Sequence, residues 1–276
     1  FHVTTPDAVV LQDLLAQMVD TGMTHCVIEV TSHGLVQHRV SACEFDIAVL
    51  TNITHEHLDY HGTLESYMNA KSLLFDQVGS TVSKPEINKL AVLNYDDEQS
   101  YSFIKNKLNI HLVDYGIDSQ STVKATNVSI HEGNTSFDVK IGEDCFPVET
   151  VLVGQYNISN CLAAIAASYN GLDIHPEHIQ AGIASLERIP GRMEYINIGQ
   201  DFEAVVDFAH TPNSLRELLA SVRKITKGRI IVVFGSAGLR DVAKRSWMGS
   251  IAAELADFTV ITAEDPRTES LSDIMA

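Results

Sequence analysis

Positive charge is what this chain has least of. Its 19 Lys and Arg face 36 Asp and Glu, a formal charge of −17. That excess of acid excludes a general affinity for nucleic acid or an anionic membrane, because either needs a basic face that releases counterions. An anionic ligand can still bind, at a local site with its own cations or metal. Cysteine is scarce too. Cys26, Cys43, Cys145 and Cys161 form no C-x-x-C pair, and three of them sit in apolar runs as buried small residues do. The pattern reads as that of a reducing cytoplasm. No apolar run approaches the roughly 18 residues that span a bilayer, and the start does not read as a secretion signal. There is no internal repeat and no low-complexity tract.

What is present is a hydrophobic share of 45% in 276 residues, room for two cores rather than one. Residues 7–21 carry Val10, Leu11, Leu14, Leu15 and Met18 at helical spacing, with Gly22 where a C-terminal cap belongs. HCVIEV (25–30) and DIAVLTNI (46–53) are β-branched apolar runs, predicted as strands buried on both faces of a parallel sheet. A helix follows from Leu64, capped by Thr63, and then LAVLN, a polar helix and IHLVDY continue the alternation. This is βα order and predicts an α/β fold. From about 121 to 153 the segments shorten and alternate, which predicts an antiparallel insert. Two more helices precede IPGR (189–192), read as a hinge between a first domain at 1–191 and a second, Rossmann-like one at 192–276.

The stretch TNITHEHLDYHGT (51–63) holds His55, His57, Asp59 and His61. It nearly spells the H-x-H-x-D-H run of binuclear zinc hydrolases, but Tyr60 separates the last two ligands and sends them in different directions. In the next helix Lys71 lies on the same stripe as Leu64, Tyr67, Met68, Phe75 and Val78. An ammonium on a buried face needs a partner or a reason; the bland alternative is a snorkelling stem. Glu29 ends one predicted strand and His57 follows the next, so in a parallel sheet both can meet Lys71 at the carboxyl edge where ligands bind. One carboxylate, one imidazole and a lysine suit magnesium better than zinc, and a neutral lysine amine can become a carbamate. His55 and His61 are then supporting residues.

EVTSHGLVQHRV, TNITHEHLDYHGTLESYMNAK, GQYNISN, PGRME, VVDFAHTPNSL, FGSAGLRDVAKRSWMG and EDPR, in this order, resemble the Mur ligases over nearly the whole chain. The match is to the branch that uses ATP to add the third residue of the peptidoglycan peptide to UDP-N-acetylmuramoyl-L-alanyl-D-glutamate. The resemblance implies a central ATPase domain followed by a Rossmann-like one. It implies magnesium held by Glu29 and His57 beside a carbamylated Lys71, and ATP near Asn157, Asn160, Arg192, Asp207 and His210. Thr4, Thr5, Thr31, Gln37 and Arg39 would hold the UDP-muramoyl dipeptide. Arg240, Glu264, Asp265, Pro266 and Arg267 would take the incoming amino acid, meso-diaminopimelate being expected. A cytoplasmic monomer with no nucleic-acid or membrane partner is implied as well.

The sequence departs from the family at three places: Thr31 stands for Ser, Asp265 for the Asn of D-N-P-R, and FGSAGLRD for FGCGGDRD. The family's phosphate loop, G-x-x-G-K-[ST], would lie just before Phe1, so the stretch reads as a piece that alone binds ATP poorly and does not ligate. The end of the last domain reads as missing too. Three alternatives stay open: the zinc hydrolase, a non-catalytic relative that binds a nucleotide-sugar, and a ligase adding glutamate to folate.

Overall fold

The computed structural model describes residues 4–54, 57–85, 87–117, 120–131, 134–239 and 241–275, with Asp59 described by its backbone alone. Six strands form one sheet in chain order: β1 (Ile47–Leu50), β2 (Leu90–Asn94), β3 (His111–Ile117), β4 (Val123–His131), β5 (Asn134–Ile141) and β6 (Asp144–Thr150). β1 to β4 run parallel, and β5 and β6 each reverse. The helices of this part are α1 (Ala8–Asp20), α2 (Ser32–Val36), α3 (Leu58–His61), α4 (Leu64–Ser80), α5 (Glu98–Lys105), α6 (Gln155–Ala166), extended by a π-helical turn at Ala167–Gly171, and α7 (Pro176–Ala184).

The sheet is covered on both faces, which is why its parallel strands read as unbroken apolar runs. Leu90 and Val92 of β2 point into a core shared with Ile158, Leu162 and Ile165 of α6. Ala91 and Leu93 point the other way, onto Met68, Phe75 and Val78 of α4 and Ile104 of α5. Each such side chain, fully withdrawn from water, contributes about 1.5 to 3 kcal/mol. Thr63 caps α4, its hydroxyl accepting from Ser66 N at 3.1 Å.

Two expectations need correction. Residues 25–30 are not a strand: the run pairs with no described strand, and Val27 is 99% exposed. A β-branched run becomes a strand only where a neighbouring backbone completes its ladder. Here Ile28 and Val30 pack instead on Leu11, Leu35 and Val40. The antiparallel segment expected from about 121 to 153 is present as β4 to β6, and β4 also joins the parallel sheet through β3, with Tyr115 opposite Val123. As for the cysteines, Cys43 and Cys161 are buried while Cys26 and Cys145 are exposed. Burial pushes the Cys161 thiol up to about 11.

Beyond a tight turn at 189–192, β7 (Glu194–Ile196) and β8 (Ala204–Val206) form a short antiparallel pair. Then α8 (Pro212–Ile225), β9 (Ile231–Phe234), α9 (Ala243–Leu255), β10 (Phe258–Ile261) and α10 (Leu271–Met275) follow. β9 and β10 pair parallel. One face of this pair meets Leu215, Leu219, Met248 and Ile251. On the other, Ile231, Val233 and Phe258 are 58%, 61% and 61% exposed.

Candidate functional site

The site begins at a fully buried threonine. Thr5 Oγ1 donates to the carbonyl of Glu29 at 3.0 Å and accepts from Thr31 N at 3.0 Å. Thr31 in turn caps α2, its hydroxyl accepting from Gly34 N at 3.0 Å. Gly34 packs closely there: a Cβ would lie 3.1 Å from the Thr31 hydroxyl and 3.2 Å from the Thr5 side chain. Arg39 closes the network: one guanidinium nitrogen donates to Thr5 O at 2.9 Å, another to Gln37 Oε1 at 2.6 Å, and Nε lies 3.6 Å from Asp7. Four of the five residues read as the sugar-peptide pocket thus form one hydrogen-bonded group. Thr4 stands exposed beside it.

From there a bond crosses to the histidine loop, Gln37 Nε2 donating to Tyr60 Oη at 3.2 Å. The His33 ring lies 4.0 Å from Tyr60, 5.1 Å from His57 and 5.4 Å from His61. His61 bonds Ser32 Oγ at 2.9 Å and stacks on Tyr67 at 5.3 Å. Tyr67 then touches both chemical candidates: His57 meets its ring edge-on at 5.7 Å, and Lys71 Nζ sits 5.8 Å above it. Such a cation over a ring is worth about 0.5 to 1 kcal/mol. His57 enters α3 at φ 58, a left-handed turn that histidine tolerates better than most residues. Lys71 is half-buried.

Glu29 differs from these two. Its side chain is exposed, and its link to the site runs through the carbonyl that Thr5 holds. Among the described residues no three His, Cys, Asp or Glu are grouped to hold a metal. His55 and the Asp59 side chain lie outside those residues, so the zinc reading gains nothing from the geometry. Sequence reasoning missed Ser32, His33, Tyr60 and Tyr67 as site residues. A signal for Tyr67 was there, since it precedes Lys71 by four on one helix face.

The residues read as contacting nucleotide lie at the start of α6 and between Arg192 and His210. Asn157 is buried and donates to Val153 O at 2.8 Å, with Asn160 exposed next to it. The Asp207 carboxylate accepts from Met193 N and Ala209 N, each at 2.8 Å, and so fastens the segment after β8 to the turn at 189–192. Burial, and then the Asp207 charge, push the Tyr156 phenol of α6 upward. Arg192 lies over the Phe208 ring at 5.2 Å, and His210 Nδ1 is 3.0 Å from Phe208 O.

The last group sits after β9 and β10. Gly235 and Gly238 let two loops meet backbone to backbone: a Cβ would fall 2.5 Å from Thr262 O at the first and 2.1 Å from Pro266 O at the second. Gly238 N donates to Asp265 O at 2.8 Å. Arg267, at φ 51, keeps its Nε 3.6 Å from Asp265, and Glu264 is exposed. Arg240 lies outside the described residues. Behind these loops Arg245 grips Glu269 with two bonds of 2.7 and 2.8 Å and holds its carboxyl down at about 2.

Residues 2–168 match the family described as Mur ligase middle domain, and residues 191–276 the one described as Mur ligase, glutamate ligase domain. The chain is 42% identical over 273 residues to the UDP-N-acetylmuramoyl-L-alanyl-D-glutamate--2,6-diaminopimelate ligase of Geobacillus kaustophilus, covering 99% of this chain and 55% of that one. It is 43% identical over 267 residues to the protein of the same name from Bacillus licheniformis, covering 97% and 54%. The chain thus spans about half the length of the curated relatives it matches. A solved structure bearing the same ligase name superposes with a TM-score of 0.70 at 31% identity, over 99% of this chain and 55% of that one. The MurF ligase of Thermotoga maritima in complex with ADP shares the fold, with a TM-score of 0.67 at 18% identity, over 84% and 52%.

Proposed function

The chain belongs to the Mur ligase family, and from that premise we propose that it serves ATP-dependent amide formation: joining a diamino acid, meso-diaminopimelate first, to UDP-N-acetylmuramoyl-L-alanyl-D-glutamate. The observation that carries this reading is the bond from Gln37 to Tyr60. It ties a network suited to an anionic sugar-peptide to the loop bearing His57 and the helix bearing Lys71.

The first domain, 1–191, holds the precursor and the nucleotide; the second, 192–276, brings the amine. Arg39, anchored on Thr5 and Gln37, offers a fixed cation to the precursor. Asn157 and Asn160 at the start of α6, with Arg192, Asp207 and His210 at the hinge, border the nucleotide. The substrate carboxylate takes the γ-phosphoryl group to give an acyl phosphate. The amine then attacks, and phosphate leaves from a tetrahedral intermediate. Both steps develop negative charge, so positioned cations supply most of the catalysis. Magnesium fits the donor set of one carboxylate and one imidazole, Glu29 and His57, with positions left for water and phosphate oxygens. Bound there, it would neutralise phosphate charge. Lys71, read as carbamylated, supports that pair from against Tyr67. Asp265, Pro266, Arg267 and Glu264, with Arg240, receive the amino acid. Closure about the turn at Pro190 and Gly191 keeps water from the acyl phosphate.

The test is phosphate release by the full-length protein carrying this chain, given the UDP-dipeptide, ATP, magnesium and a panel of amino acids. Release that requires a diamino acid, with a UDP-tripeptide as product, is the expected result. Release independent of any amino acid, or a product lacking the new amide, refutes the reading. The cytoplasm as location and a single subunit as working form belong to the same proposal.

A further inference from the structure

We propose that Arg245 and Glu269 are positioning residues for the amino-acid pocket, stapling the glycine loop after β9 to the acidic loop after β10; the proposal rests on the ligase reading. Neither residue belongs to the set read as touching substrate. Their bonds nevertheless reach both loops. Arg245, on α9, presents two guanidinium nitrogens to the two oxygens of Glu269 at 2.7 and 2.8 Å. One of those oxygens also accepts from Leu239 N at 2.8 Å, in the glycine loop. The backbone N–H of Glu269 donates to Pro266 O at 2.9 Å, in the acidic loop. Gly238 N donates to Asp265 O between them.

Geometry separates this pair from an ordinary surface bridge, which contributes little. The side chains of Arg245 and Glu269 are only 11% and 21% exposed, and the contact is a fork against a carboxylate, which fixes orientation as well as distance. The core of the region is built from Leu215, Leu219, Ile230, Val232, Met248, Ile251 and Ala252, and includes neither loop. What the pair holds is therefore the spacing of Gly238 and Leu239 from Asp265, Pro266 and Arg267. An incoming amino acid has to fit that spacing. Lysine cannot replace Arg245 here, because an ammonium is a point charge without the fork.

The experiment uses the full-length protein with R245Q, R245K, E269Q and the exchanged pair R245E/E269R. Two readouts are taken: amide exchange at residues 236–239 and 265–269, and separate KM values for the diamino acid, ATP and the UDP-dipeptide. R245Q and E269Q are expected to raise the amino-acid KM about tenfold and leave the other two within about twofold, while exchange quickens in the loops and not at Val232 or Val233. R245K should behave like R245Q, and the exchanged pair should recover part of the loss. Unchanged loop exchange, or three KM values rising together, overturns the proposal. If the unsubstituted protein forms no amide with any diamino acid, the ligase reading falls and takes the pocket with it. Exchange still reports separately whether the pair staples the loops.

Discussion

The two ends of the proposed site are held by different means. Around Lys71 and His57 the fastenings include stacked rings and a serine hydroxyl, with Tyr67 at the centre, beside a sheet whose β2 is buried from Leu90 to Leu93. Around Arg267 the loops after β9 and β10 are joined by backbone contact and an ion pair. The difference teaches that stacked side chains can position one set of reactive groups while close backbone approach and a forked ion pair position another. The first end carries a half-buried lysine over a tyrosine ring; the second carries a forked salt bridge.

Four measurements break or sharpen that contrast. The largest effect is expected from Lys71→Ala or His57→Ala in the full-length protein, a fall in kcat of about a thousandfold, roughly 4 kcal/mol of barrier, with folding intact by circular dichroism. Loss of fold instead would mean that these two side chains serve the structure rather than the chemistry. Gly238→Ala should cost the C-terminal region about 1 to 3 kcal/mol in urea unfolding, because Pro266 O has no room to withdraw. A neutral result would show that the loops do not depend on close approach. Thr63→Ala should cost about 1 kcal/mol by removing the cap of α4, without changing the magnesium requirement. The smallest effect is that of acid on the staple. The folded Glu269 value, about 2, lies below its ordinary 4.5, so its contribution is complete above the ordinary value and fades as pH falls through the depressed one. The protection of the loop amides at residues 236–239, taken relative to the intrinsic exchange rate at each pH, should fall on acidification, starting below the ordinary value.

Local signals in the chain announced most of the α/β order. The stripe of Tyr67, Met68, Phe75 and Val78 specifies α4, and the cap at Thr63 marks where it begins, because both depend on neighbours within four residues. The run at 25–30 misled because strand formation is decided by a neighbour elsewhere, and none of the described strands pairs with it. The Thr5, Thr31, Gln37 and Arg39 network drew on a resemblance rather than on any local pattern, since Thr5 lies 26 residues from Thr31. His33 and Tyr60 went unseen for a similar reason: three short elements must first converge. Arg245 and Glu269, separated by 24 positions, carry no periodic mark at all.

The seam between β3 and β4 has a consequence for anyone who would trim the molecule. Asp114 there accepts from Thr122 N and from its hydroxyl, each at 2.7 Å, and so brings a parallel neighbour back beside Tyr115 within a few residues. Excising residues 121–150 would not remove an appendage. It would bare the ladder from Tyr115 to Ile117 and leave an unshielded margin on which a second molecule can polymerise.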